Sequence, residues 1–244
     1  MATVYADSQD GYITRFNQSS WSNARATTTG TAASTTTQNI SAAVSAYAAA
    51  ARGGGSAFSI FRSFFFFDTS AIGEVSEATL KIYGAAFTTG DMIAVKSNSD
   101  IETLATADFG SIVGWNTTTN GSGGGDNESN VTKYSAEIST WGTGYQDIAL
   151  NSTALADMRD DDKLYICLLN TDYDLRDIEP TGSSDNRCGL YYSAYTGTSR
   201  DPYIDYTLTP TTTDNAVFFG TNFWYLYMTI KFNIFKSWIL QWKD

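Results

Sequence analysis

The chain has 244 residues, a formal net charge of −11, 17% charged and 14% aromatic residues, and no histidine. A length of this order suits one undivided all-β domain. The missing imidazole excludes Ser-His-Asp and Cys-His nucleophile systems and His-bearing zinc or copper sites, and the acidic balance opposes nucleic acid, which needs a cationic stripe.

In chain order, Thr3 to Ala6 and Gly11 to Phe16 read as short extended pieces around an Asp7 to Asp10 turn. The low-complexity stretch Ala24 to Ala51 has an Ala-rich half compatible with a short helix, but its Thr triplets favour extended backbone. Ala57 to Phe67 is the strongest core signal. Phe58, Ile60, Phe64 and Phe66 share one face and Phe61, Phe65 and Phe67 the other, as in a strand buried on both sides. In Ala78 to Gly84, Leu80 and Ile82 point inward while Thr79, Lys81 and Tyr83 point outward. Met92 to Lys96, Val131 to Ile138, Tyr145 to Leu150, Leu164 to Leu169, Cys188 to Tyr192 and Pro202 to Leu208 repeat this short-strand pattern. Ser152 to Met158 and Thr106 to Ile112 read as short helices, and Gly121 to Gly125 as a mobile loop tip without the Lys of a phosphate cradle. The sum is an antiparallel all-β sandwich of jelly-roll type.

Two segments carry a family resemblance. Arg62-Ser63-Phe64-Phe65-Phe66-Phe67-Asp68-Thr69-Ser70 followed by Ala78-Thr79-Leu80-Lys81-Ile82 resembles the DNRLRE-like jelly-roll modules related to carbohydrate-binding modules. Tyr195 to Tyr206 is similar to the closing strand of marine phage and metagenome proteins of that kind, while Asp185-Asn186-Arg187-Cys188 only partly matches the name-giving motif. The resemblance spans roughly residues 10 to 223. It implies a β-sandwich, often on virions or on cell-surface and carbohydrate-active proteins, sometimes with a structural calcium, and it carries no enzymatic mechanism.

Candidate sites follow from side-chain chemistry. Sugar rings stack on flat aromatics beside polar groups, which nominates Trp115, Trp141, Tyr173 and Tyr191 with Arg187. Trp21, Tyr192, Tyr195 and Arg200 are further members of that pool. Asp172, Asp174, Asp177 and Glu179 form an oxygen-rich loop able to hold calcium, without EF-hand spacing. Glycoside hydrolysis needs two opposed carboxylates, but Asp160-Asp161-Asp162 reads as a solvated turn, and no catalytic residue is nominated. Arg62 is expected to pair with a carboxylate such as Asp68. Cys167, inside an apolar run, reads as a buried thiol rather than half of a bridge to Cys188.

After residues 1–208, the expected sandwich, and 209–223, a linker and short strand, the composition changes. Residues 224–244 carry a charge of +2 against −13 for the rest, three Trp, and no Gly or Pro. Leu226, Met228, Ile230, Phe232 and Ile234 alternate with more polar residues, the period of a half-buried strand. This segment reads as an assembly strand added to a neighbouring subunit, as a strand of the same core, or as an appended segment. Lys231 and Lys236 argue against a membrane span. The N-terminal residues lack a signal-peptide pattern, so the expectation is cytoplasmic synthesis and a working place on a virion surface or outside the cell. The leading expectation is a noncatalytic structural subunit of an assembled particle, most simply a phage virion decoration or appendage protein with itself and other particle subunits as partners. The alternative is a carbohydrate-binding module. No cofactor is expected beyond that calcium.

Overall fold

A computed structural model describes residues 1–51, 55–88, 90–117, 125–181 and 186–210. Its organising element is the Phe-rich strand β5 (Ser56–Asp68), numbered after β1 (Ala2–Tyr5), β2 (Gly11–Gln18), β3 (Ala32–Ser34) and β4 (Asn39–Ala50). β5 is antiparallel to β4, β2 and β9 (Lys163–Asn170), and β9 pairs in turn with β7 (Met92–Lys96). All three strands of the β5–β9–β7 layer are apolar on both faces. Phe65, Phe67, Met92, Ala94, Leu164, Ile166 and Leu168 enter one core, whereas Phe58, Phe64, Phe66, Ile93, Val95, Cys167 and Leu169 enter a second. Each buried aromatic or aliphatic side chain contributes about 1.5–3 kcal/mol relative to exposure, which makes this layer the best-anchored part of the molecule.

The first core is closed by β6 (Val75–Thr88), β8 (Gly144–Ala149), β10 (Arg187–Tyr191), β11 (Tyr203–Leu208) and the helix α2 (Ser152–Asp160). The second is closed by the short helix α1 (Trp21–Arg25) and by turns carrying Ile101, Phe109, Ile112 and Leu175. The eleven described strands are antiparallel and belong to one hydrogen-bonded sheet, packed as an all-β sandwich. α2 starts where Asn151 accepts the N–H groups of Thr153 and Ala154, a side-chain cap that satisfies otherwise unpaired donors.

The Ala-rich stretch and the two cysteines follow the extended and free-thiol readings, and one expected strand is not formed. The Ala-rich stretch is strand β4, whose small Ala46 and Ala48 side chains pack in the second core beneath the β5 phenylalanines. Val131 to Ile138 forms no strand, only isolated bridges to β7. There the Ser135 hydroxyl accepts the Ala94 N–H, 3.1 Å, substituting a side chain for the next ladder bond. Cys167 and Cys188 are free buried thiols, one in each core.

The chain divides into a unit Met1–Thr209 and a second unit Pro210–Asp244. Residues 211–223 of the expected linker and the Leu226, Met228, Ile230, Phe232 and Ile234 set lie outside the described residues, as does the Gly121 to Gly124 tip. Among the described residues no helix is long and apolar enough to cross a membrane.

Candidate functional site

The outer face of β1, β11, β6, β8 and β10 carries the most distinctive surface. Period-2 alternation sends Leu80, Ile82, Ile148, Leu190 and Ile204 into the first core. Residues of opposite parity therefore stand on the solvent side. Register then sets Tyr5 opposite Tyr203 and Tyr83 opposite Tyr145.

The result is a continuous row of rings in the order Tyr5, Tyr203, Tyr145, Tyr83, Tyr191, Tyr195. Neighbouring centroids are 5.6, 5.1, 5.1, 5.3 and 5.2 Å apart, and all contacts after the first are edge-to-face. That geometry sets the positive ring edge against the negative ring face. Tyr5 is half exposed and the others are partly exposed. Burial pushes the Tyr145 phenol up to about 12 and the Tyr203 phenol upward as well, so these hydroxyls keep their protons. The Tyr145 hydroxyl donates to the Asp201 carbonyl, 3.1 Å.

Arg200 lies at the far end of the row, its guanidinium carbon 5.0, 4.5 and 4.7 Å from the ring centres of Tyr83, Tyr191 and Tyr195. Beside it, Asp201 keeps one carboxylate oxygen buried without a hydrogen-bond partner, and burial pushes its carboxyl upward. Lys81 pairs with Asp147 on the same face, 2.6 Å, an exposed pair worth little to stability. Flat rings, hydroxyl donors and acceptors, and the Arg200 and Lys81 cations are groups suited to stacking and hydrogen bonding.

Of the residues nominated first for glycan contact, Tyr191 belongs to this row, and from the wider pool Tyr195 and Arg200 join it. Trp141 is a core residue: its indole N–H donates to the Gly189 carbonyl, 3.0 Å, and it packs beside Gly84. A Cβ at Gly84 would meet the Gly142 carbonyl oxygen at 1.9 Å, so the close approach demands glycine there. Trp115 packs on the second core with the Arg62 guanidinium 4.1 Å and the Arg25 guanidinium 5.0 Å from its ring centre. Tyr173 is partly buried against the same core. Arg187 lies over Tyr47, 5.6 Å away. Sequence reasoning missed Tyr5, Tyr83, Tyr145 and Tyr203 as a set, because their meeting depends on strand neighbours, although Tyr83 was assigned to the outer face by alternation alone.

The four nominated metal ligands do not converge. Asp174 is buried in a bidentate pair with Arg62, 2.7 and 2.8 Å. Asp177 accepts the Trp21 indole N–H, 2.9 Å, and faces Arg25 at 3.3 Å, while Glu179 is exposed. Asp172 instead gathers with Asp91 and Glu137, their carboxylate oxygens within 4.8 Å of one another. Burial and the adjacent Asp172 and Glu137 push the Asp91 carboxyl up to about 6. Arg176 closes this group at 3.0 Å from Asp172 and 2.7 Å from Glu137, and reaches Glu128 at 3.2 Å. The cluster thus already holds a cation of its own.

Arg62 pairs with Asp174 and not with Asp68, whose carboxylate caps the turn at Ser70. The acidic turn 160–162 lines a shallow cavity of about 590 Å³ with Lys96, Lys163 and Tyr165. Most of its charges are matched within the protein: Lys96 to Asp157 and Asp161, Lys163 to Glu102, and Asp160 to Arg159. No protein-family model and no curated protein matches the chain.

Proposed function

We propose that this protein is a noncatalytic glycan-binding module whose contact surface is the tyrosine row. The single observation behind this reading is the uninterrupted series of six rings, five on the sheet face and Tyr195 on the turn that follows, each step about one pyranose ring long. Sugar C–H faces stack on such rings while phenol hydroxyls meet ring hydroxyls. The jelly-roll connectivity implied by the DNRLRE-like resemblance is part of the same reading, and the antiparallel sandwich supports it. In a glycan-panel assay, the double variant Tyr5→Ala/Tyr203→Ala is expected to lose roughly tenfold to hundredfold in affinity, from two stacking contacts of about 0.5–1.5 kcal/mol each. Retained affinity in a folded double variant, checked by circular dichroism, would remove the row from the binding site.

A second reading keeps the protein as a subunit of an assembled particle, a phage virion decoration or appendage protein. The apolar alternation from Leu226 to Ile234 favours it, since such a strand joins a neighbour's sheet edge by main-chain bonds. Truncation after Phe223 is then expected to reduce the particle mass measured by light scattering to that of a monomer. An unchanged mass rules the tail out as the assembly strand.

A further inference from the structure

Resting on the glycan-binding reading, we propose that Arg200 makes the tyrosine row selective for anionic polysaccharides, receiving the carboxylate of a uronic acid or a sulfate ester. The chain holds 26 acidic and 15 basic side chains, so cations here find carboxylates easily. Arg25, Arg62, Arg159 and Arg176 all do so. Arg200 does not: among the described residues its guanidinium makes neither an ion pair nor a hydrogen bond, although Asp201 follows it and has a buried oxygen without a partner.

Three tyrosine rings hold it instead. These cation–π contacts hold the guanidinium without consuming its in-plane N–H groups. Those five donors form a planar fork suited to two oxygens of a carboxylate or sulfate. A guanidinium serving only to glue the loop would be expected to direct its fork at a carbonyl or carboxylate, as Arg62 does toward Phe109 and Asp174. The net charge of −11 does not override this contact, because remote charges are screened over about 8 Å at physiological ionic strength. Lys81, the other cation on the face, is engaged by Asp147. The ligand inferred from this arrangement is therefore an extended glycan that stacks along Tyr5, Tyr203 and Tyr145 and delivers one acidic substituent to Arg200.

The test uses the full chain in affinity electrophoresis against two matched pairs: polygalacturonate and its methyl ester, and a sulfated galactan and its desulfated form. The expected result is at least tenfold tighter binding of one acidic member than of its neutral partner. Arg200→Gln should erase that preference, and Arg200→Lys should restore only part of it because the fork is lost. The carboxylate and sulfate arms identify which acid is read. Equal binding of acidic and neutral partners by the native protein overturns the selectivity and leaves the glycan-binding reading standing. So does a preference unchanged in Arg200→Gln. Failure to bind any of the four, or a wider panel of neutral glycans, overturns both. Melting curves of both Arg200 variants separate loss of the fold from loss of the contact.

Discussion

Asp174→Asn is expected to destabilise the protein by about 3–5 kcal/mol, the usual consequence of removing one partner of a buried ion pair. Asp174 and both facing arginines are fully buried. Its two oxygens accept from Arg62 at 2.7 and 2.8 Å, and the Arg25 Nε lies 3.8 Å away. Arg62 also donates to the Phe109 carbonyl, 2.6 Å, and lies 4.1 Å from the ring centres of both Phe109 and Trp115. The asparagine variant leaves two guanidinium groups inside the second core, with Asp177 at 3.3 Å from Arg25 but no longer a carboxylate against Arg62 at position 174. Urea unfolding measures the loss as a lower midpoint. The paired variant Arg62→Met/Asp174→Leu should cost less than the sum of its single changes, since apolar replacement of both charges leaves no uncompensated ion. A change under about 1 kcal/mol for Asp174→Asn would falsify the claim that this pair anchors the second core.

Stability is expected to fall as pH rises from about 4 to about 8, with Asp10 as the principal cause. Burial pushes the Asp10 carboxyl up to about 7 from its ordinary 3.8, and Asp201 and Asp7 add repulsion, while the Ser193 hydroxyl and N–H oppose the rise. Both Ser193 bonds reach the carboxylate, the N–H at 3.1 Å from each oxygen. The sign follows from proton counting. Below pH 4 folded and unfolded chains both hold the proton, whereas between 4 and 7 only the folded chain keeps it, so stability declines through that window. The decline from Asp10 is on the order of 2–4 kcal/mol. Asp91, raised to about 6, acts in the same direction over a narrower range. Melting temperatures at pH 5 and pH 8 check the prediction, and Asp10→Asn should flatten most of the difference. A wild-type melting temperature higher at pH 8 than at pH 5 contradicts it.

The parts of the fold that were legible in the sequence are those fixed by local period. Alternation in β6 assigned Leu80 and Ile82 inward and Tyr83 outward, and the doubly apolar β5 announced a strand with a core on each side. What depends on strand neighbours was not legible. The tyrosine row joins residues from five strands, and its order is written only in the pairing register. The Arg62 partner failed for a simpler reason: Asp68 stands six residues along the same strand, about 20 Å away, beyond a side chain's reach. Asp174 instead arrives on the turn after β9, brought in by β5–β9 pairing. Trp115 and Trp141 were nominated for ring chemistry alone, which does not distinguish a solvent-facing indole from one enclosed by arginines or glycine backbone.

The middle layer touches a core on each side, but among the described residues the strands bearing the tyrosines pack on only one. Their outward positions are thus freed from packing duty. Exchanging a cross-strand neighbour there shifts folding energy by only about 0.2–1 kcal/mol. If the glycan-binding proposal holds, single codon changes at positions 5, 83, 145, 191 and 203 would retune the contact surface while the foundation beneath stays intact.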